Sequence, residues 1–150
     1  MRRRDTGITV LELLVVVAIL AVVLGIGVIN GRAIAQRQAA RGAIATFQQS
    51  VWQGATAAAS RGLTVDLNRT ASGLSLVDVG SQRVLRRYDL PPGVVIPAEN
   101  PILRFTPPGK VELAYLEALP GDFVITTGEG RYRIEISLIG EVESTRIGDA

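Results

Sequence analysis

Three kinds of hydrophobic spacing follow one another along the chain. Residues 13–29 read LLVVVAILAVVLGIGVI, apolar or glycine at every position, and residues 8–11 extend the run on the far side of Glu12. A stretch with no polar face predicts a helix whose whole circumference meets lipid or other apolar helices. About 20 residues at 1.5 Å rise each cross a bilayer, and residues 8–29 are enough. Val15, Val16, Val17, Ile19, Val22 and Val23 slightly disfavour a helix in water. In lipid every amide must bond internally, and helix prevails.

After Arg32 the pattern becomes amphipathic. Ala40, Ile44, Phe47, Val51, Ala55 and Ala58 recur at spacings of three and four, while Arg37, Arg41, Gln48 and Gln49 lie mostly off that stripe. One long helix is therefore expected to end near Arg61 and Gly62, with Trp52 at the edge of the core. Gly25, Gly27, Asn30 and Gly31 interrupt good helix formers, at about 1 kcal/mol per glycine relative to alanine. They either weaken the helix there or let neighbouring helices approach closely.

Beyond Gly62 the period falls to two, and Gly, Pro, Asn and Ser punctuate short segments. Strands are predicted over 63–67, 74–79, 84–88, 94–96, 102–105, 111–114, 123–127 and 132–139, the second and third forming a hairpin across Gly80, Ser81 and Gln82. In the last strand Tyr132, Ile134, Ile136 and Leu138 alternate with Arg133, Glu135 and Ser137, so one face is expected to be buried. The fold class is α+β: a long N-terminal helix, membrane-spanning in its first half, packed against an antiparallel β-sheet domain.

Composition narrows the chemistry. The chain has no Cys and no His, which removes the thiol nucleophile, the imidazole base and the usual zinc ligands. An enzyme would depend on carboxylates such as Asp66, Asp78, Asp89 and Asp122, whose spacing converges nowhere; they read as solubilising surface groups, with no catalytic residue, metal site or cofactor indicated. The net charge of +2 is supplied by Arg2, Arg3, Arg4 and Asp5, so the rest of the chain is neutral overall. Those arginines precede the apolar run and only Arg32 closely follows it, which puts the N-terminus in the cytoplasm and the domain outside.

Glu12 is the anomaly, because a carboxylate within a membrane helix costs roughly 2.5–3.5 kcal/mol on insertion scales. Its surroundings, Gly7-Ile8-Thr9-Val10-Leu11-Glu12 followed by LLVVVAIL, resemble the type IV prepilin signal. That signal has a short basic leader ending in Gly and a mature chain with Glu at its fifth position; Ile8 stands where the family usually has Phe or Met. The resemblance implies cleavage after Gly7 by a prepilin peptidase, N-methylation of Ile8, and pairing of Glu12 with the terminal amine of a neighbouring subunit. It divides the chain into a leader at 1–7, a transmembrane and filament-core helix at 8–29, an amphipathic second half at 30–62, and a β-rich domain at 63–150.

Residues 103–110, LRFTPPGK, and 131–140, RYRIEISLIG, are similar to the strand-rich C-terminal part of FimT and GspH-type minor pilins. The function expected is a structural or assembly-priming subunit of a type IV pilus or a type II secretion pseudopilus. Its partners would be the prepilin peptidase, other pilin or pseudopilin subunits and the inner membrane. The alternative is an unrelated single-pass, signal-anchored protein with an exported β-domain. Some relatives of this type bind DNA for natural transformation, and the corresponding candidates are Arg131, Arg133, Arg146, Arg86 and Arg87, with Arg83 near them. Glu141 and Glu143, and a domain without net charge, stand against DNA as a partner.

Overall fold

The computed structural model describes the backbone of residues 9–149 and their side chains apart from residues 26–33, 35 and 36. The described residues divide into two units, one ending at Gln36 and the other beginning at Arg37. Helix α1, Val10–Arg61, includes Gly25, Gly27, Asn30 and Gly31 without a break, so those residues do not interrupt it. It stops where the sequence suggests. Gly62 adopts φ +64°, the left-handed conformation open to glycine, and its N–H bonds the Ala58 carbonyl at 3.0 Å.

In the second unit α1 is followed by strands β1 (Val65–Arg69), β2 (Gly73–Asp78), β3 (Val84–Asp89), β4 (Leu103–Thr106) and β5 (Lys110–Val111). Then come the one-turn helix α2 (Leu113–Glu117) and strands β6 (Val124–Thr127), β7 (Gly130–Ile136) and β8 (Val142–Gly148). They form two antiparallel sheets, in orders β3-β2-β1-β4-β5 and β6-β7-β8, where the sequence suggested one. The α+β class is as expected, with the helix packed on antiparallel sheets.

The core lies between the helix stripe and the sheets. Ala40, Ile44, Phe47, Val51 and Ala58 are buried against Val65, Leu67, Leu74, Leu76, Leu103, Phe105, Ile125 and Ile134. From Phe47 onward the stripe residues diminish in size toward the C-terminal end, through Val51 to Ala58. Phe47 meets Phe123 with ring centroids 5.9 Å apart. At Gly54 the helix presents no side chain and the Phe105 ring fills the space. The turns at Gly109 and Gly140, at φ +97° and +79°, come down on Ala55. Polar ties flank the apolar contact: Tyr88 Oη donates to Gln53 Oε1 at 2.6 Å and Gln48 Nε2 to the Val142 carbonyl at 3.2 Å.

Opposite this core, Asp66 and Arg104 face each other across β1 and β4 and form a bidentate pair at 2.7 and 2.9 Å, with the guanidinium 4.9 Å from the Tyr115 ring of α2. Hydrogen bonding to Asp66 raises the Arg104 pKa above its ordinary value.

The β2–β3 turn is held by Asp78, which accepts from Ser81 Oγ at 2.5 Å and from the Gly80 N–H at 3.0 Å; Gln82 takes φ +56°. The Ser81 hydrogen bond, more than any other contact, lowers the Asp78 pKa below its ordinary value. A depressed carboxylate stabilises the fold above its unfolded pKa, and the contribution is lost as pH falls through the folded value. Ser81→Ala is therefore expected to lower Tm at neutral pH. The gap from wild type should begin to narrow below about pH 4, where the unfolded carboxylate protonates, and close once pH falls below the depressed folded value. Thermal melts across that range check it, and a gap independent of pH would assign the effect to something other than the charge.

Candidate assembly surface

The first turn of α1 is organised by Thr9, whose Oγ1 accepts from the Glu12 N–H at 3.2 Å and whose carbonyl accepts from the Leu13 N–H at 3.1 Å. Thr9 is thus the helix cap, and Thr9-Val10-Leu11-Glu12 has the spacing of a capping box. The sequence carries that signal inside the processing motif, where the two share the same residues. Glu12 is exposed in the first helical turn, where the helix dipole favours a negative charge by about 0.3–1 kcal/mol. Gly7 and Ile8 lie outside the described residues.

From Val10 to Leu24 every Val, Leu and Ile side chain is exposed, each by about half or more, and Val10 by 83%. The contrast with the second unit is physical. From Ala40 onward the same helix buries alanines, isoleucine and phenylalanine under the sheets, whereas its first turns place larger aliphatic side chains around the whole circumference. Contiguous apolar surface on this scale marks a site for membrane or protein contact. Among the described residues no helix is long and apolar enough to cross a membrane; the described side chains stop at Gly25, partway along the run expected over 8–29, and resume at Ile34.

The basic candidates do not share one surface. Arg86 and Arg87 are on β3 at the edge of the five-stranded sheet, with Arg86 5.7 Å from the Tyr88 ring. Arg131 and Arg133 project from β7, and Arg133 bonds Asp122 at 3.2 Å. Arg146 stands opposite Tyr132 in the β7–β8 register, on the other face from Arg133, and reaches Asp149 at 2.6 Å and the Glu129 carbonyl at 3.0 Å. The candidate carboxylates are dispersed likewise, Asp66 to Arg104, Asp78 to its turn and Asp122 to Arg133. Trp52, expected at the core edge, is 62% exposed beside Leu85 and Arg86.

Residues 2–28 match the family model described as the prokaryotic N-terminal methylation motif. No curated protein and no solved structure matches the chain. The matched segment contains the arginines, Gly7, Ile8, Thr9, Glu12 and most of the apolar run, so the N-terminal region carries a type IV pilin-like prepilin signal.

Proposed function

We propose that the chain is a minor pilin or pseudopilin, a structural or assembly-priming subunit of a type IV pilus or a type II secretion pseudopilus. Before assembly it is held in the inner membrane by residues 8–29 as a single pass, with the arginine-rich end in the cytoplasm and the β-domain outside. The prepilin peptidase removes residues 1–7, and the new amine of Ile8 is methylated. Other subunits then replace lipid around the apolar turns of α1.

The observation that carries this reading is the exposed apolar surface from Val10 to Leu24 with one carboxylate, Glu12, in its first turn, inside a segment matching the methylation motif. A carboxylate in that setting needs an opposite charge, and an amine at Ile8 supplies one only after cleavage. DNA uptake is not part of the proposal, since the candidate arginines lie on separate surfaces.

Mass spectrometry of the native N-terminus tests it. The mature chain is expected to begin at a methylated Ile8, and Gly7→Val to accumulate as full-length precursor in the membrane. A functional protein that keeps Met1 would instead indicate a permanent signal anchor.

A further inference from the structure

The second unit holds an open cavity of about 690 Å³ between α1 and the three-stranded sheet, lined by Arg37, Arg41, Glu129, Tyr132, Arg146 and Asp149. Three guanidinium groups face two carboxylates there. Arg37 reaches Glu129 at 3.6 Å, and Arg146 reaches Asp149 at 2.6 Å, with both arginines exposed by half or more. Exposed pairs of this kind are weak and exchange readily for another carboxylate. Arg41 is exposed and has no carboxylate within ion-pair distance among the described residues. The cavity therefore has a net positive lining and one cation left over.

The opposite face of the same sheet carries the complementary charge. Glu135 and Glu143 are direct partners in the β7–β8 register, both exposed, and exposed Glu141 lies two residues before Glu143. Like charges placed opposite each other destabilise a strand pair, and a cationic partner relieves them. Arg133, next along that face, is already taken by Asp122 at 3.2 Å. Register alternation sets Glu135 and Glu143 on one face and Tyr132 and Arg146 on the other.

We propose that the Arg37–Arg41–Arg146 cavity receives the Glu135–Glu143 ridge of a second copy of the chain. The contact joins two different surfaces, so each copy that accepts a ridge still offers its own. This is the heterologous arrangement that builds an open series rather than a closed dimer. The inference rests on the filament reading above and gives that filament a polar contact between domains.

The chain has no cysteine, so an engineered disulfide reports only the chosen positions. Two full-length variants, Arg41→Cys and Glu143→Cys, are expressed together and oxidised in intact cells. A mixed dimer is expected in the doubly expressing cells, at least about tenfold above that formed when Glu99→Cys replaces Glu143→Cys, and none when either variant is expressed alone. A like-with-like dimer, equal yield with the Glu99 control, or no dimer overturns the contact. Charge reversal is the second measurement. Arg41→Glu is expected to reduce incorporation into filaments about tenfold, and adding Glu143→Arg to the same chain to restore it. Loss without restoration would assign the cavity to a different subunit and defeat the proposal. Wild-type filaments that fail these tests remove the contact alone; a wild-type chain that never enters a filament removes the assembly reading and this contact together.

Discussion

Glu12→Val is expected to leave the leader cleaved while lowering incorporation into filaments by about a hundredfold. Four residues of sequence separate the bond after Gly7 from Glu12, so cleavage is expected not to depend on the Glu12 side chain. Insertion into the membrane should improve, because the substitution removes a carboxylate that costs roughly 2.5–3.5 kcal/mol in an apolar helix. Assembly is different. In the assembly proposed above, the amine of Ile8 would need a counter-charge in a medium of low dielectric, and breaking one partner of a buried pair costs about 3–5 kcal/mol. Three kcal/mol already corresponds to about a hundredfold at 1.4 kcal/mol per decade. Immunoblots of sheared filaments against the membrane fraction measure the ratio. Normal incorporation of the cleaved valine variant would remove the assigned role of Glu12.

The second large effect concerns Gly54. Alanine is the better helix former by about 1 kcal/mol, so propensity alone predicts that Gly54→Ala stabilises α1. Packing reverses the sign. A Cβ at position 54 would lie 2.6 Å from Phe105 Cδ2 and 2.9 Å from Cζ, nearer still to Cε2, and the ring is fully buried with little room to retreat. Overpacking costs about 1–3 kcal/mol, and the buried ring puts this site toward the upper end, so Gly54→Ala is expected to lose up to about 2 kcal/mol net, and Gly54→Val about 3 because valine adds volume and helix strain. Gly42, on the same helix, has no atom within 4 Å of its would-be Cβ, and Gly42→Ala should gain up to about 1 kcal/mol. Chemical denaturation of the full chain in detergent compares the three. Equal effects at positions 42 and 54 would mean that the Phe105 contact is not what limits the helix.

These two glycines illustrate what the chain discloses before it is folded. The stripe from Ala40 to Ala58 was legible because burial and period coincide, and so was the hairpin of β2 and β3, where the turn residues are explicit. That Gly54 faces Phe105 was not, since the partner comes from a strand about fifty residues away. Strand β8 was missed for a related reason. Val142 to Gly148 reads VESTRIG, with no apolar alternation and almost every side chain exposed, and it joins the sheet through its backbone. The segment at 94–96 reduced to a single bridge between Val95 and Thr126, with prolines at 91, 92 and 97 limiting the available N–H donors. Residues 111–114 alternate like a strand but turn into α2 at Leu113, a helix too short to show a period.

The strand expected over 132–139 ends at Ile136 because the turn around Gly140 begins there, with the Gly140 N–H bonding the Ser137 carbonyl at 3.0 Å, and Leu138 is left half exposed. At the candidate surface the motif from Gly7 to Glu12 was visible as a string, since a processing enzyme reads a local segment. The cavity of Arg37, Arg41 and Arg146 was not, because it draws on α1 and the last strand together.

Among the described residues strand β3 ends the larger sheet with one backbone edge unpaired, and along it stand Arg86, Arg87 and Asp89, all exposed. Charged side chains on an edge repel a second strand that would otherwise zip onto it. In the filament proposed above, domains crowded side by side would then touch without fusing their sheets, and growth would be a matter of stacking folded units rather than recruiting them into amyloid.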